Sequence, residues 1–267
     1  MEKIIIDAHT HIGKGHLINA NPKDLLKSMK TAGIDRACVF AGELNNCSTE
    51  ELLNSLSKYH DVLYPIGSVS PLSEKRPSLD QVEKWLLNND IYGLKFYPGY
   101  EFFYPYDECA RPYLELLAKY GRPAIFHSGD TYNKVAKTKL RYAHPLEIDE
   151  LASELPDLKI IIAHFGNPWV IDTAEVCLKN KNVYADSSGI VYNTFLDEDK
   201  KLFKYFLETF MRYTLTHTSF GKRKLIFGTD WPISNQSDYV VFMNTLFEGE
   251  AADDFFWKNA KEVFNLE

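Results

Sequence analysis

Eight short apolar runs, spread along the whole chain and separated by helix-like segments, constrain the fold more than any other feature of this sequence. They occupy residues 4–8, 37–41, 64–69, 93–97, 124–127, 158–163, 183–186 and 225–228. None alternates apolar with polar residues, which is the pattern of strands buried on both faces. Between them, Pro22–Ala32 carries apolar residues at helical spacing, with Pro22 in the first turn and Gly33 as a stop. Residues 78–88 open on a Ser cap, 107–120 close at Gly121, and 145–155 stop before Pro156. Helical segments at 170–179, 199–216, 238–247 and 253–264 follow. Strands alternating with helices predict an all-parallel sheet. Eight such units in 267 residues match an α/β fold of the closed (β/α)8 TIM-barrel type, a single domain over 1–267. A doubly wound open sheet would more often place a Gly-rich phosphate loop after its first strand. Here that position holds Asp7-Ala8-His9-Thr10-His11.

Composition narrows the partners. With 45% hydrophobic and 25% charged residues the chain has the makeup of an ordinary globular protein with one large core. A net charge of −7 argues against a nucleic-acid backbone, although a local basic patch would be compatible with it. Cys38, Cys47, Cys109 and Cys177 are scattered without a Cys-x-x-Cys pair, so neither a structural zinc knuckle nor a disulfide framework is expected. No apolar run reaches the length of a membrane span, and the N-terminus lacks a signal peptide's basic start and long apolar core. The expectation is a cytoplasmic protein acting on a small molecule, with neither nucleic acid nor membrane as partner. A homo-oligomer is compatible with the sequence, which contains nothing that specifies one.

The first run leads straight into His9 and His11. Side chains alternate along a strand, so the two imidazoles share a face and form half of a metal site. Such a pair also occurs at solvated strand ends, and the decision rests on what the other strands supply. In a barrel, functional side chains project from the C-terminal ends of the strands. There the fourth run delivers Lys95, the fifth His127, the sixth His164 and the eighth Asp230. Imidazole and carboxylate without thiolate suit zinc, and also manganese, iron or cobalt. A cation held this way acidifies water or polarises a substrate oxygen, and a carboxylate beside it stays ionised, which places Asp230 as a general base.

Asp-Ala-His-Thr-His (7–11), Gly-Leu-Lys-Phe-Tyr-Pro (93–98), Ile-Phe-His-Ser-Gly (125–129), Ile-Ile-Ala-His-Phe-Gly (161–166) and Phe-Gly-Thr-Asp-Trp-Pro (227–232) together resemble the amidohydrolase superfamily. Within it, the likeness is to the amidohydrolase-related (amidohydrolase 2) group that includes aminocarboxymuconate semialdehyde decarboxylase-like proteins. His-Pro-Leu (144–146), Asn-Val-Tyr-Ala-Asp-Ser-Ser-Gly (182–189) and Asn-Ala-Lys-Glu-Val-Phe (259–264) are weaker matches, and the resemblance spans nearly the whole chain. It implies a distorted (β/α)8 barrel with His9, His11, His127 and Asp230 on a metal, usually zinc. It also implies His164 as a second-metal ligand or a group that polarises substrate. The small β-sandwich that flanks many superfamily barrels is expected to be missing. Some members carry a carboxylated lysine bridging two metals where Lys95 stands, whereas one metal is frequent in the group resembled here, and one is expected. A lysine near a cation is neutral, carbamylated or held away by a carboxylate or the substrate.

Around the expected mouth, the loop after His127 carries Lys134, Lys137, Lys139 and Arg141, with no acidic residue from 131 to 146. It is either a solvated loop or an attractor for a carboxylate-bearing substrate, with Arg141 as the bidentate partner. Tyr97, Tyr100, Phe102, Phe103, Tyr104 and Tyr106 either wall the pocket or pack the rim, with Tyr97 a candidate substrate contact. Asp186 is placed to hydrogen-bond a ligand histidine, and His16, His60, His144 and His217 are not expected to be ligands. The primary expectation is a metal-dependent hydrolase of an amide, ester or lactone, with Asp230 as base and His164 polarising the carbonyl. The alternative is a metal-dependent, non-oxidative decarboxylase acting on an unsaturated or aromatic acid. A TatD-type nuclease usually has Glu where Lys95 stands, and a metal binder without catalysis would not need an open coordination position.

Overall fold

The computed structural model describes residues 4–15, 18–42, 45–131, 137–191, 196–217 and 224–266. Eight parallel strands form one sheet in the order β1 (Ile6–His11), β4 (Arg36–Phe40), β5 (Leu63–Ser68), β6 (Leu94–Phe96), β7 (Ala124–Phe126), β8 (Ile160–Ile162), β9 (Val183–Asp186) and β10 (Leu225–Ile226). The segment after β10 returns to β1 and nearly closes the barrel. Ala8 N–H donates to Phe227 O (2.9 Å), His11 N–H to Trp231 O (2.7 Å) and Asp230 N–H to His9 O (2.8 Å). Helices α1 (Pro22–Ala32), α2 (Thr49–Leu56), α3 (Leu79–Leu87), α4 (Arg111–Lys119), α5 (Glu147–Glu154), α6 (Val170–Lys179), α7 (Asp197–His217) and α8 (Gln236–Met243) run between the strands or after the last. The chain ends in α9 (Gly249–Asp253), a π-helical turn (Asp254–Lys258) and α10 (Asn259–Phe264). A two-stranded hairpin of β2 (Gly13–Lys14) and β3 (Asn19–Ala20) follows β1.

The non-alternating runs have a direct explanation. On β4, Ala37 and Val39 join the core under the helices, while Cys38 and Phe40 join a separate core inside the barrel. On β7 and β8 the same division separates Ala124, Phe126, Ile160 and Ile162 from Ile125 and Ile161. Both faces of each strand are therefore apolar and buried. The inner core continues onto Ala260, Val263 and Phe264 of α10.

Two elements, α2 and β1, differ from the sequence expectation. Helix α2 was not anticipated, yet Ser48 and Glu51 form a capping box at its start and Leu52 and Leu56 are buried. The first run lies two residues later than expected, so His9 and His11 sit within β1. Pairing of β1 with β4 also shifts register between Asp7 and Thr10. Ile6 and Ala8 face the inner core and, beyond the shift, His9 and His11 face the pocket; such an irregularity re-aims side chains beside functional sites. Among the described residues no helix is long and apolar enough to cross a membrane, and all four cysteines are free thiols.

Candidate metal centre

Each strand places its residue because β pairing fixes the strand ends around one mouth. His9, His11, Lys95, Tyr97, His127, His164 and Asp230 line the same pocket. Three of them converge most closely. Asp230 Oδ1 lies 3.1 Å from His11 Nε2 and 3.9 Å from His9 Nε2. His9, His11 and Asp230 each offer one ligand atom, all within 4.8 Å of one another. Asp230 reaches this point from a backbone at φ 67°, and His164 from φ 60°. Non-glycine residues occupy this left-handed region rarely, and strain of this kind concentrates at functional sites.

Electrostatics prepares the group for a cation. Burial, reinforced by the Lys95 charge, pulls the His9 imidazole down to about 3. Burial lowers His164 and His127 as well, with Lys95 adding to both and His164 adding at His127. Burial pushes the Asp230 carboxyl up, but His11, His164 and His9 outweigh it and hold it well below the usual carboxylate range. A neutral His9 imidazole beside an ionised carboxylate is the pair of protonation states that a metal ion needs. His9 Nε2 and His11 Nδ1 are buried with no hydrogen-bond partner, and buried Asp230 Oδ1 has only His11 Nε2 (3.1 Å) beside it. Orphaned buried polar atoms are costly, and a divalent cation would satisfy donors of this kind. The residues present fit a metal.

The surroundings hold the ligands in place. Asp186 Oδ2 accepts from His9 Nδ1 (2.8 Å), the contact expected from the sequence. Asp7 accepts from Thr229 N–H (3.0 Å), Thr229 Oγ1–H (2.6 Å), Gln236 Nε2 (2.8 Å) and His9 N–H (3.2 Å), and so ties β1 to the turn that presents Asp230. His127 lines the pocket but stands outside the compact group. Its Nε2–H donates to Asp130 O (2.9 Å), which leaves Nδ1 as its lone-pair nitrogen.

Lys95 is 1% exposed, and Nζ has no hydrogen-bond partner. It lies 5.5 Å from the Phe40 ring centroid and 5.4 Å from that of Tyr97. Burial pulls its ammonium down to about 8 against the opposing charges of Asp186 and Asp230. Tyr97 is buried, with its hydroxyl 3.4 Å from Ala41 O. Arg141 takes a different place: it is exposed, bonds Tyr142 OH (3.1 Å), packs over the Tyr104 and Tyr142 rings and is absent from the pocket lining. Lys134 and His16 lie outside the described residues.

Asn45, which lines the pocket, and Ser188, which lies behind it, carried no assigned role in the sequence reading. Asn45 is fully buried and spends Nδ2 on Ile12 O (2.7 Å) and Phe40 O (3.0 Å). Only its place after the second apolar run could have marked it. Ser188 stands directly behind His9 and His164, and the Asp-Ser-Ser-Gly that closes the seventh run was its signal.

A sequence profile of the family described as Amidohydrolase matches residues 6–266. Among curated proteins the sequence has no match. An uncharacterized TIM-barrel protein from Bordetella bronchiseptica superposes with a TM-score of 0.74 at 18% identity, covering 98% of each chain. A probable 2-pyrone-4,6-dicarboxylic acid hydrolase from Acinetobacter baumannii, solved with citric acid, gives 0.71 at 14% identity, covering 98% of this chain and 99% of that one. The 5-carboxyvanillate decarboxylase of Novosphingobium aromaticivorans, solved with manganese and a nitrobenzoic acid, gives 0.73 at 12% identity, covering 98% and 96%. At these identities the likeness is one of fold.

Proposed function

The chain belongs to the amidohydrolase family, and from that premise we propose that it is a metal-dependent hydrolase of an amide, ester or lactone bond in a small, carboxylate-bearing molecule. One observation supports this reading above the rest: His9 Nε2 and His11 Nδ1 are buried and unpartnered, buried Asp230 Oδ1 has only His11 Nε2 beside it, and Lys95 Nζ is buried and unpartnered, all on residues of one pocket. The first three belong to the residues that would hold one divalent ion, with His127 joining through Nδ1. Zinc suits this donor set best, with manganese, the ion bound by the Novosphingobium decarboxylase, as the second choice. Such an ion, when bound, would polarise the scissile carbonyl and lower the pKa of water.

The chain's own residues supply the rest. Lys95, charged and unpaired between two aromatic faces, takes the substrate carboxylate, and Tyr97 packs against the substrate. Arg141, outside the lining, is left out of this role. As the attacking water's oxygen bonds to the carbonyl carbon, Asp230 accepts the water's proton on Oδ2, the oxygen not turned to His11. When the C–N or C–O bond breaks, the same carboxyl returns that proton to the leaving nitrogen or oxygen. His164 contacts the reacting group from the same pocket wall.

Decarboxylation of an unsaturated or aromatic acid is the second reading, favoured by a cationic Lys95 in the pocket that would hold a carboxylate. A panel of carboxylated lactones, esters, amides and aromatic acids, assayed with metal-loaded protein, tests both. Ring opening or acid release without carbon dioxide supports hydrolysis, carbon dioxide release selects the decarboxylase, and inertness toward the whole panel contradicts both.

A further inference from the structure

Ser188 sits just beyond β9, between two histidines and a carboxylate. Its hydroxyl oxygen lies 2.5 Å from Asp186 Oδ1, 2.9 Å from His164 Nδ1 and 3.0 Å from His9 Nδ1. Ser188 is fully buried, so its protons and lone pairs are matched within this group. Asp186 Oδ1 accepts from the backbone N–H groups of His164 and Ser188, 3.0 Å each, so it offers lone pairs rather than a proton. An oxygen that already receives two N–H donors accepts in its third contact as well, so the 2.5 Å oxygen–oxygen contact contains the serine proton. The serine oxygen can then only accept from the two rings.

The ring protons follow by elimination. His9 Nδ1 faces the serine oxygen and Asp186 Oδ2 (2.8 Å), both acceptors. His164 Nδ1 faces the serine oxygen and the Ser188 carbonyl (3.2 Å), again both acceptors. Each ring therefore has its proton on Nδ1 and, when neutral, its lone pair on Nε2. For His9 an independent observation agrees: Nε2 is the buried atom without a partner. The backbone of His164 is held by the same carboxylate, its N–H donating to Asp186 Oδ1 (3.0 Å). Gly189 completes the arrangement. At φ 66° it lets the chain pass where a Cβ would stand 2.6 Å from His164 Nδ1 and 2.9 Å from Asp230 Oδ2.

We propose that Ser188 is a positioning residue that, with Asp186, locks His164 in the Nδ1–H form, so that Nε2 acts as a proton acceptor in the pocket. The inference rests on the reading of the pocket as catalytic and changes one expected role. A neutral His164 accepts a hydrogen bond from the attacking water, and it polarises a carbonyl only after it has gained a proton.

Nitrogen-15 spectra of the full chain labelled at histidine, with His164 identified by loss of its signals in His164→Gln, read the protonated nitrogen directly. The expected result is a proton on Nδ1 near neutral pH, with and without added zinc; a proton on Nε2 overturns the proposal. In Ser188→Ala the hydroxyl acceptor is gone, so His164 should populate both forms. On a verified substrate, kcat should fall about tenfold to a hundredfold with KM within about twofold. Ser188→Thr, which restores the hydroxyl, should recover the Nδ1–H signal. An unchanged ring and an unchanged kcat in Ser188→Ala overturn the positioning role. Should Ser188→Ala not fold, the spectra of the unaltered chain still decide where the proton sits. A chain that keeps Nδ1–H yet turns over no member of the substrate panel contradicts the proposed function and leaves the serine clamp intact.

Discussion

At Lys95 a buried ammonium faces Phe40 and Tyr97 without a hydrogen-bond partner, so Lys95→Met should stabilise the metal-free fold while removing affinity for a carboxylate. The folded chain holds this lysine at about 8, against 10.5 for a lysine free in water. Between those values the unfolded chain binds more protons, so stability rises with pH across that window. Below pH 8 the full deficit is present, about 3 kcal/mol at one pKa unit per 1.36 kcal/mol. Urea unfolding at pH 7 and pH 10 checks this: the variant should gain at pH 7 and lose most of its advantage at pH 10. In the enzyme, KM for a carboxylate substrate should rise as pH passes upward through about 8, because the ammonium is lost. A KM unaltered in Lys95→Met would remove Lys95 from the substrate site. Removing a ligand acts differently. His11→Ala or Asp230→Ala should lower bound metal below stoichiometry and cut kcat/KM by more than about a hundredfold, as metal analysis and turnover will report.

Elements were legible in the sequence where burial was two-sided. Runs such as 158–163 could only be inner strands, because Ile160 and Ile162 pack under helices while Ile161 packs inside. Helix α2 was harder to read because eight residues carry only three buried side chains, Thr49, Leu52 and Leu56; its cap, Ser48 with Glu51, was the better signal. Ser48→Ala should therefore cost about 1 kcal/mol in urea unfolding. The site was legible as residues at strand ends, since barrel geometry brings those ends together. Its supporting contacts were not, because Asp7–Thr229, Asp7–Gln236 and His9–Asp186 join residues 222, 229 and 177 positions apart. Arg141 was open in the sequence for a related reason: a basic loop reads equally as an anion site or a solvated loop, and only the fold shows its cation resting on tyrosines. The Asp7 tie carries its own prediction. Asp7→Ala strands the donors of Thr229 and Gln236 and should cost about 2–4 kcal/mol, with loss of metal affinity as the Asp230 turn loosens; unchanged stability and metal affinity would contradict the tie.

At the scale of the whole molecule, the barrel brings the first strand and the segment after the last one together, and His9, His11 and Asp230 lie at that closure. Metal binding should therefore stabilise the whole fold. At a free metal concentration a hundred times Kd the gain is about 2.7 kcal/mol, which calorimetry should read as a rise in Tm of several degrees, absent in Asp230→Ala. The central claim is that this closure is a metal-dependent hydrolytic site. The measurement that tests it most directly is turnover of the carboxylated lactone, ester and amide panel by chelator-treated protein titrated with zinc or manganese. The account predicts no turnover after chelation, and hydrolysis that rises to saturation at one ion per chain. Turnover indifferent to the chelator, or protein that takes up no ion and hydrolyses nothing, would contradict it.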